Sequence, residues 1–204
     1  MKSWDTLADD ATIEKTIRAL KQNGIDASVV ATGAEAIKKV VSLIPDGAEV
    51  MTMSSVTLDT IGITKELNGS NRYKPVRDTL YAMNRETQRV AMLKLGAAPE
   101  WTVGSVHAVT QDGHILIASN TGSQLPAYAY SSAHVIWVVG TQKIVATTEE
   151  GMKRIYEYTL PLESERAKKA YGVAGSAVNK LLIINKEVVP GRLTIIFVKE
   201  NLGY

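Results

Sequence analysis

The sequence predicts an α/β fold in three layers, a mixed and mostly parallel sheet with a central hairpin and helices on both faces. Three observations carry this expectation. Helical and strand patterns alternate through the N-terminal half of the chain. Asp112-Gly113 lies between two apolar runs and suits a two-residue hairpin turn. His134–Gly140 is almost wholly apolar, the mark of a strand buried on both faces. With 204 residues and 45% hydrophobic content the chain can bury a core without a metal or disulfide. One domain over residues 1–204 is expected, with a small lobe near residues 145–180 as the alternative division.

Ile13, Ile17 and Leu20 recur at helical spacing, and Asn23-Gly24 suits the end of that helix. A strand is expected over residues 26–31. Thr32 and Glu35 form a capping box that opens a helix over 34–43. Pro45-Asp46-Gly47 turns into a strand at 49–53. Ser54, Ser55 and Thr57 then lead into a helix at 58–67, whose first N–H groups offer an anion site. One long helix is expected over 72–95, because Val76, Leu80, Met83 and Val90 fall along one face. Lys74, Arg85 and Arg89 fall opposite them as a solvated face, interspersed with Asp78.

The hairpin follows, expected as the middle of the sheet, and then a helical segment over 125–131. Beyond residue 145, Thr147 and Glu150 form a second capping box for a helix towards Tyr158. Pro161 suits the first turn of another. Residues 181–185 and 193–199, separated by Pro190-Gly191, read as a terminal pair of strands.

The formal charge of +2 points to neither a nucleic acid nor a membrane as partner, and no apolar run approaches the ~20 residues that span a bilayer. The N-terminal stretch lacks the apolar core of a signal peptide, so a cytoplasmic location is expected. With no cysteine, the chain has no thiolate nucleophile and no cysteine ligands for zinc or an iron–sulfur centre. The common nucleotide, zinc-protease and hydrolase signatures are missing. A two-residue turn would place His107 and His114 on one face, ~13 Å apart, too far for a shared metal ion. No metal site is expected.

The residues left to bind a ligand are small and sit at turns. Gly122, Ser123 and Gln124 can present N–H groups to a carboxylate or phosphate, as can Ser54, Ser55 and Thr57. Ligands of open α/β sheets gather at the carboxyl ends of strands, where both turns are expected. Thr141 and Lys143 follow another strand end, and Lys143 can pair with an anion. Asp59, one helical turn in, is a candidate general base or a partner of the positive helix end. Tyr128 and Tyr130 either line a pocket or bury their rings.

The runs MSSVTLDTIG at 53–62, VGSVHAVT at 103–110 with Gly113, Ala118-Ser119 with Gly122, HVIWVVGTQKIV at 134–145 and RLTIIFVKENLG at 192–203 resemble the LUD domain family, which includes lactate-utilization protein C. The resemblance covers most of the chain. It implies a fold similar to the NagB/RpiA/CoA-transferase group and a role in oxidising L-lactate to pyruvate. The iron–sulfur centres of that chemistry would sit on partner subunits, with no cofactor in this chain. Many members carry an acidic residue before Thr-Gly-Thr after the alanine that matches Ala108, where this chain has Val109-Thr110-Gln111-Asp112-Gly113. Asp112 and Asp59 are the carboxylates left to replace it. The leading expectation is an accessory protein of organic-acid metabolism that binds a small anionic metabolite, with homo-oligomer formation left open. The alternatives are an independent CoA-transferase-like or sugar-phosphate-isomerase-like enzyme using Asp59 or Lys143, and a non-catalytic interaction module.

Overall fold

In the computed structural model, which describes residues 3–204, the strands divide between two sheets. The first is built from β1 (Asp26–Val30), β2 (Glu49–Thr52), β3 (Lys74–Pro75), β4 (Trp101–Gly104), β7 (His134–Gly140) and β10 (Leu193–Val198). Its order is β1-β10-β7-β4-β2-β3, and every pairing is parallel. The second, ordered β8-β5-β6-β9, is mixed, with β5 (Ala108–Thr110), β6 (Ile115–Ser119), β8 (Ile144–Val145) and β9 (Lys180–Ile184). The expected hairpin is β5–β6, in the middle of this second sheet; β7 is the apolar strand inside the first.

Local signals place the early helices. In α1 (Asp10–Gln22), Asp9 accepts from the Thr12 N–H at 2.7 Å, and Ile13 and Leu20 are buried. In α2 (Gly33–Leu43), Thr32 accepts from the Glu35 N–H, while the Glu35 carboxylate reaches back to the Ala31 N–H. The expected helix at 58–67 divides into α3 (Val56–Ile61) and α4 (Ile63–Gly69) at Gly62, whose φ of 84° ends one helix and begins the next.

The long helix expected over 72–95 does not form. Instead α5 (Val76–Ala82) stops before Asn84, and α6 (Arg89–Ala97) begins after it. The Asn84 side chain accepts from the N–H groups of Glu86 and Thr87, a local turn that competes with the helix. Val90 is consequently exposed rather than buried.

The hairpin turn is also longer than expected. Ala108 faces Leu116 and Val109 faces Ile115, so the loop is Gln111-Asp112-Gly113, with Gly113 at φ 85°. Asn23, at the end of α1, donates to the Asp112 carbonyl and holds the loop against the helix. The one-residue change of register puts His107 and His114 on opposite faces rather than the same one.

After β8 the chain is helical through α7 (Thr148–Arg154), a π-helical turn at Ile155–Thr159 and α8 (Leu160–Tyr171). Pro161 falls in the first turn of α8, as expected, but α8 follows the π turn with no break in the helical backbone. The proline ring conflicts with the carbonyl one turn back, and the wider π turn relieves that conflict. Residues 181–185 and 193–199 do not pair with each other either. β9 joins β6, and β10 lies between β1 and β7. β10 is buried along most of its length, as an inner parallel strand requires.

Arg192 ties this arrangement to a second π turn, Ala127–Ser131. Its guanidinium donates to the carbonyls of Tyr128, Ala129 and Ser132 and pairs with Glu187 at 2.7 Å. Tyr128 is buried and Tyr130 is exposed. A methyl group at Gly104 would overlap the Tyr128 hydroxyl. Gly104→Ala is therefore expected to lower stability by about 1–3 kcal/mol, read as a fall in the urea midpoint.

Candidate functional site

Two segments carry the chain from the first sheet into the second. Residues 105–107 connect β4 to β5, and residues 141–143 connect β7 to β8. Gly104 pairs with Trp137 but Val109 pairs with Ile144, so between these paired positions the second segment is two residues longer than the first. A 3-10 turn, Thr141–Lys143, takes up the excess. Lys143 is thereby turned inward at the carboxyl end of the central strand, with 2% of its surface exposed.

The Lys143 amine lies 3.1 Å from Thr57 Oγ1 and 3.3 Å from Ser105 Oγ. It has no carboxylate partner among the described residues. Burial, with the charge of Arg154 adding to it, holds its pKa well below the ordinary lysine value. Arg154, on α7, is fully buried: it donates to the His107 carbonyl at 2.6 Å and to Thr159 Oγ1 at 3.1 Å. Its Nε and second Nη find no hydrogen-bond partner among the described residues, although the group lies 5.2 Å from the centre of the Tyr158 ring. Burial lowers its pKa only to about 10, so it stays charged at neutral pH.

His107 keeps partial contact with solvent, and its Nδ1 accepts from the Ala118 N–H. Desolvation, with Lys143 and Arg154 nearby, pushes its pKa down to about 3, so its ring is neutral. Glu163, on α8, is already engaged: it forms a two-pronged pair with Arg166 at 2.7 Å and accepts from the Tyr204 hydroxyl. Burial would raise its pKa, but these bonds outweigh burial and lower it. The centre thus holds one fixed cation, one amine that gives up its proton easily, and no free carboxylate. That is a receptive environment for an anion.

The residues singled out from the sequence fall into separate groups. Thr57 and Lys143 meet directly. Thr141, beside them, is fully buried, and its hydroxyl has no hydrogen-bond partner among the described residues. Ser55 caps α3, while Ser54 accepts from Arg77 at 2.9 Å at the end of β2. The start of α3 is covered rather than open: Thr57 donates to the Leu202 carbonyl, and Gly203 packs against the Thr57 backbone. Gln142 fixes the same segment by donating to the Leu202 carbonyl at 2.9 Å.

Asp59 is exposed, accepts from Thr64 at 2.6 Å and borders a surface depression of about 430 Å³ with Lys65 and Asn68. Gly122, Ser123 and Gln124 lie at the end of β6, in the second sheet, and bond locally. Ser119 accepts from the Gly122 N–H and donates to Gln124, while Ser123 bonds to Thr121. The Ser54 and Gly122 turns thus end strands of different sheets. A depression of about 540 Å³ beside Thr147, Glu149 and Lys153 is likewise apart from Lys143.

Arg154, Ser105, Glu163 and Tyr204 were not singled out from the sequence. Arg154 had a legible signal: it lies on the same helical stripe as Gly151, Ile155 and Tyr158, a charge in line with the buried face of its helix. Ser105 stood inside the VGSVHAVT run with nothing to mark it.

Among solved structures, the chain is similar to a DUF162 family protein from Deinococcus radiodurans, at 15% identity and a TM-score of 0.58, over 95% of this chain and 99% of that one. It also aligns with eIF2B beta from Chaetomium thermophilum, at 17% identity and a TM-score of 0.37 over 58% of this chain and 41% of that one. A third alignment is with ribose 5-phosphate isomerase from Plasmodium falciparum, at 15% identity and a TM-score of 0.37 over 78% of this chain and 79% of that one. No curated protein matches. The LUD domain model matches residues 13–198, which include β1 to β10, Thr57, Ser105, Lys143 and Arg154, and the chain belongs to that family.

Proposed function

We propose that this protein serves organic-acid utilization, with L-lactate metabolism as the setting, and that it binds a small anionic metabolite at the buried centre around Lys143. The observation that carries the reading is a buried amine that has no carboxylate partner among the described residues, near a buried guanidinium with two nitrogens that have no hydrogen-bond partner among them. An anion entering past Ser105 and His107 supplies the missing counter-charge, and Lys143 takes up a proton as it binds. Membership of the LUD family supports the metabolic setting. Because the chain has no cysteine, electrons would pass through iron–sulfur centres on separate subunits.

Thermal-shift titration with carboxylates, phosphate esters and coenzyme A tests the ligand part. A true ligand at a hundred times its Kd stabilises the wild-type protein by about 2.7 kcal/mol. Lys143→Met is expected to remove that shift. If no member of the panel stabilises the wild-type protein, the reading fails.

A further inference from the structure

The bonds around Lys143 have a direction. Thr57 uses its one hydroxyl proton on the Leu202 carbonyl, which has none to give, so Thr57 can only accept from the lysine amine. Ser105 Oγ has no hydrogen-bond partner among the described residues except Lys143. The Lys143 amine reaches both hydroxyls, and once it has given up a proton it has a lone pair that can accept the Ser105 proton. Access orders the two groups as well: Ser105 is partly exposed, whereas Lys143 is buried behind it. The Ser105 backbone lies next to the buried Tyr128 hydroxyl, which the absence of a side chain at Gly104 admits.

We infer that Ser105 is a nucleophile and Lys143 its general base, so that this pair transfers the acyl group of an anionic ester or thioester. The inference rests on the anion-binding reading of the same centre. In the first step the Ser105 proton passes to Lys143 Nζ while Oγ bonds to the acyl carbon. The bond from that carbon to the departing oxygen or sulfur breaks, and the leaving group takes the proton from Lys143. Water or another acceptor then removes the acyl group from Ser105, with Lys143 again taking and returning a proton. Arg154 supplies fixed positive charge beside the reacting groups, and Tyr128 is a positioning residue.

The test uses the mono-4-nitrophenyl ester of succinic acid as acyl donor and free succinate as a binding probe. The wild-type protein should release one nitrophenolate per chain in a burst and carry one succinyl group on Ser105, located by peptide mass spectrometry. Ser105→Ala should abolish both while still binding succinate. Ser105→Cys should restore an adduct at the same position. Lys143→Met should slow acylation by about 10²–10⁴-fold. An adduct on Lys143 or elsewhere, or one formed equally fast in Ser105→Ala, overturns the assignment. Succinate binding without acylation rejects the Ser105–Lys143 pair alone, and absence of both rejects the anion-binding reading with it.

Discussion

Arg192→Met is expected to destabilise the protein by about 3–5 kcal/mol, measured as a loss of unfolding free energy in urea. The guanidinium is 7% exposed and does two things at once. It satisfies carbonyls at the Ala127–Ser131 turn, and it neutralises Glu187, which is nearly as buried. Methionine fills much of the space but donates to none of those oxygens and leaves the carboxylate uncompensated. Adding Glu187→Gln to Arg192→Met should recover part of the loss, because it removes the orphaned charge. Burial raises the Glu187 pKa, but bonds from the Val189 N–H and from Arg192 outweigh it and leave the value lowered. The stability Glu187 contributes is therefore present above the ordinary glutamate value of 4.5 and is lost as pH falls through its folded value.

Lys143→Met should move stability the other way. At neutral pH the variant is expected to unfold at a higher urea concentration, by about 1–3 kcal/mol, while losing ligand binding. In the folded protein the lysine pKa lies well below 10.5, so between the two values the unfolded chain holds a proton that the folded chain does not. The wild-type protein therefore gains stability as pH rises through that window, and the advantage of methionine should shrink towards pH 10.5. Urea titrations of both proteins at several pH values check the sign. An advantage independent of pH would mean that packing, rather than the titrating amine, sets the difference.

Signals contained within one turn of chain were legible in the sequence. Thr32 with Glu35 and Thr147 with Glu150 cap the helices they announced, because a capping box involves only neighbouring residues. Asn84 escaped notice because the apolar stripe on either side of it keeps helical spacing while its side chain ends the helix locally. Strand partners were harder to read. Pro190-Gly191 resembles a hairpin turn, yet an inner parallel strand needs neighbours far away in sequence, and no local pattern names them. The same limit applied to the centre around Lys143. Thr57 and Lys143 were visible as strand-end residues, but their meeting depends on the two-residue difference between the paired positions of the two segments. Arg154 was not singled out, because a charge on the apolar stripe of a helix gains its meaning only when that helix docks, here on the second sheet.

The position of β10 bears on how the chain reaches its native state. Among the described residues β1 has no strand partner except β10, and Asp26 faces Thr194. One edge of the first sheet is therefore closed by segments from opposite ends of the described chain. Until residues 193–198 insert, β1 lacks a partner and β7 is open on one side. Closing so long a loop is entropically costly and is rewarded only when it is complete, so sheet assembly should be slow and late in refolding. During synthesis, α1 and β1 would wait for almost all of the remaining sequence before finding their place.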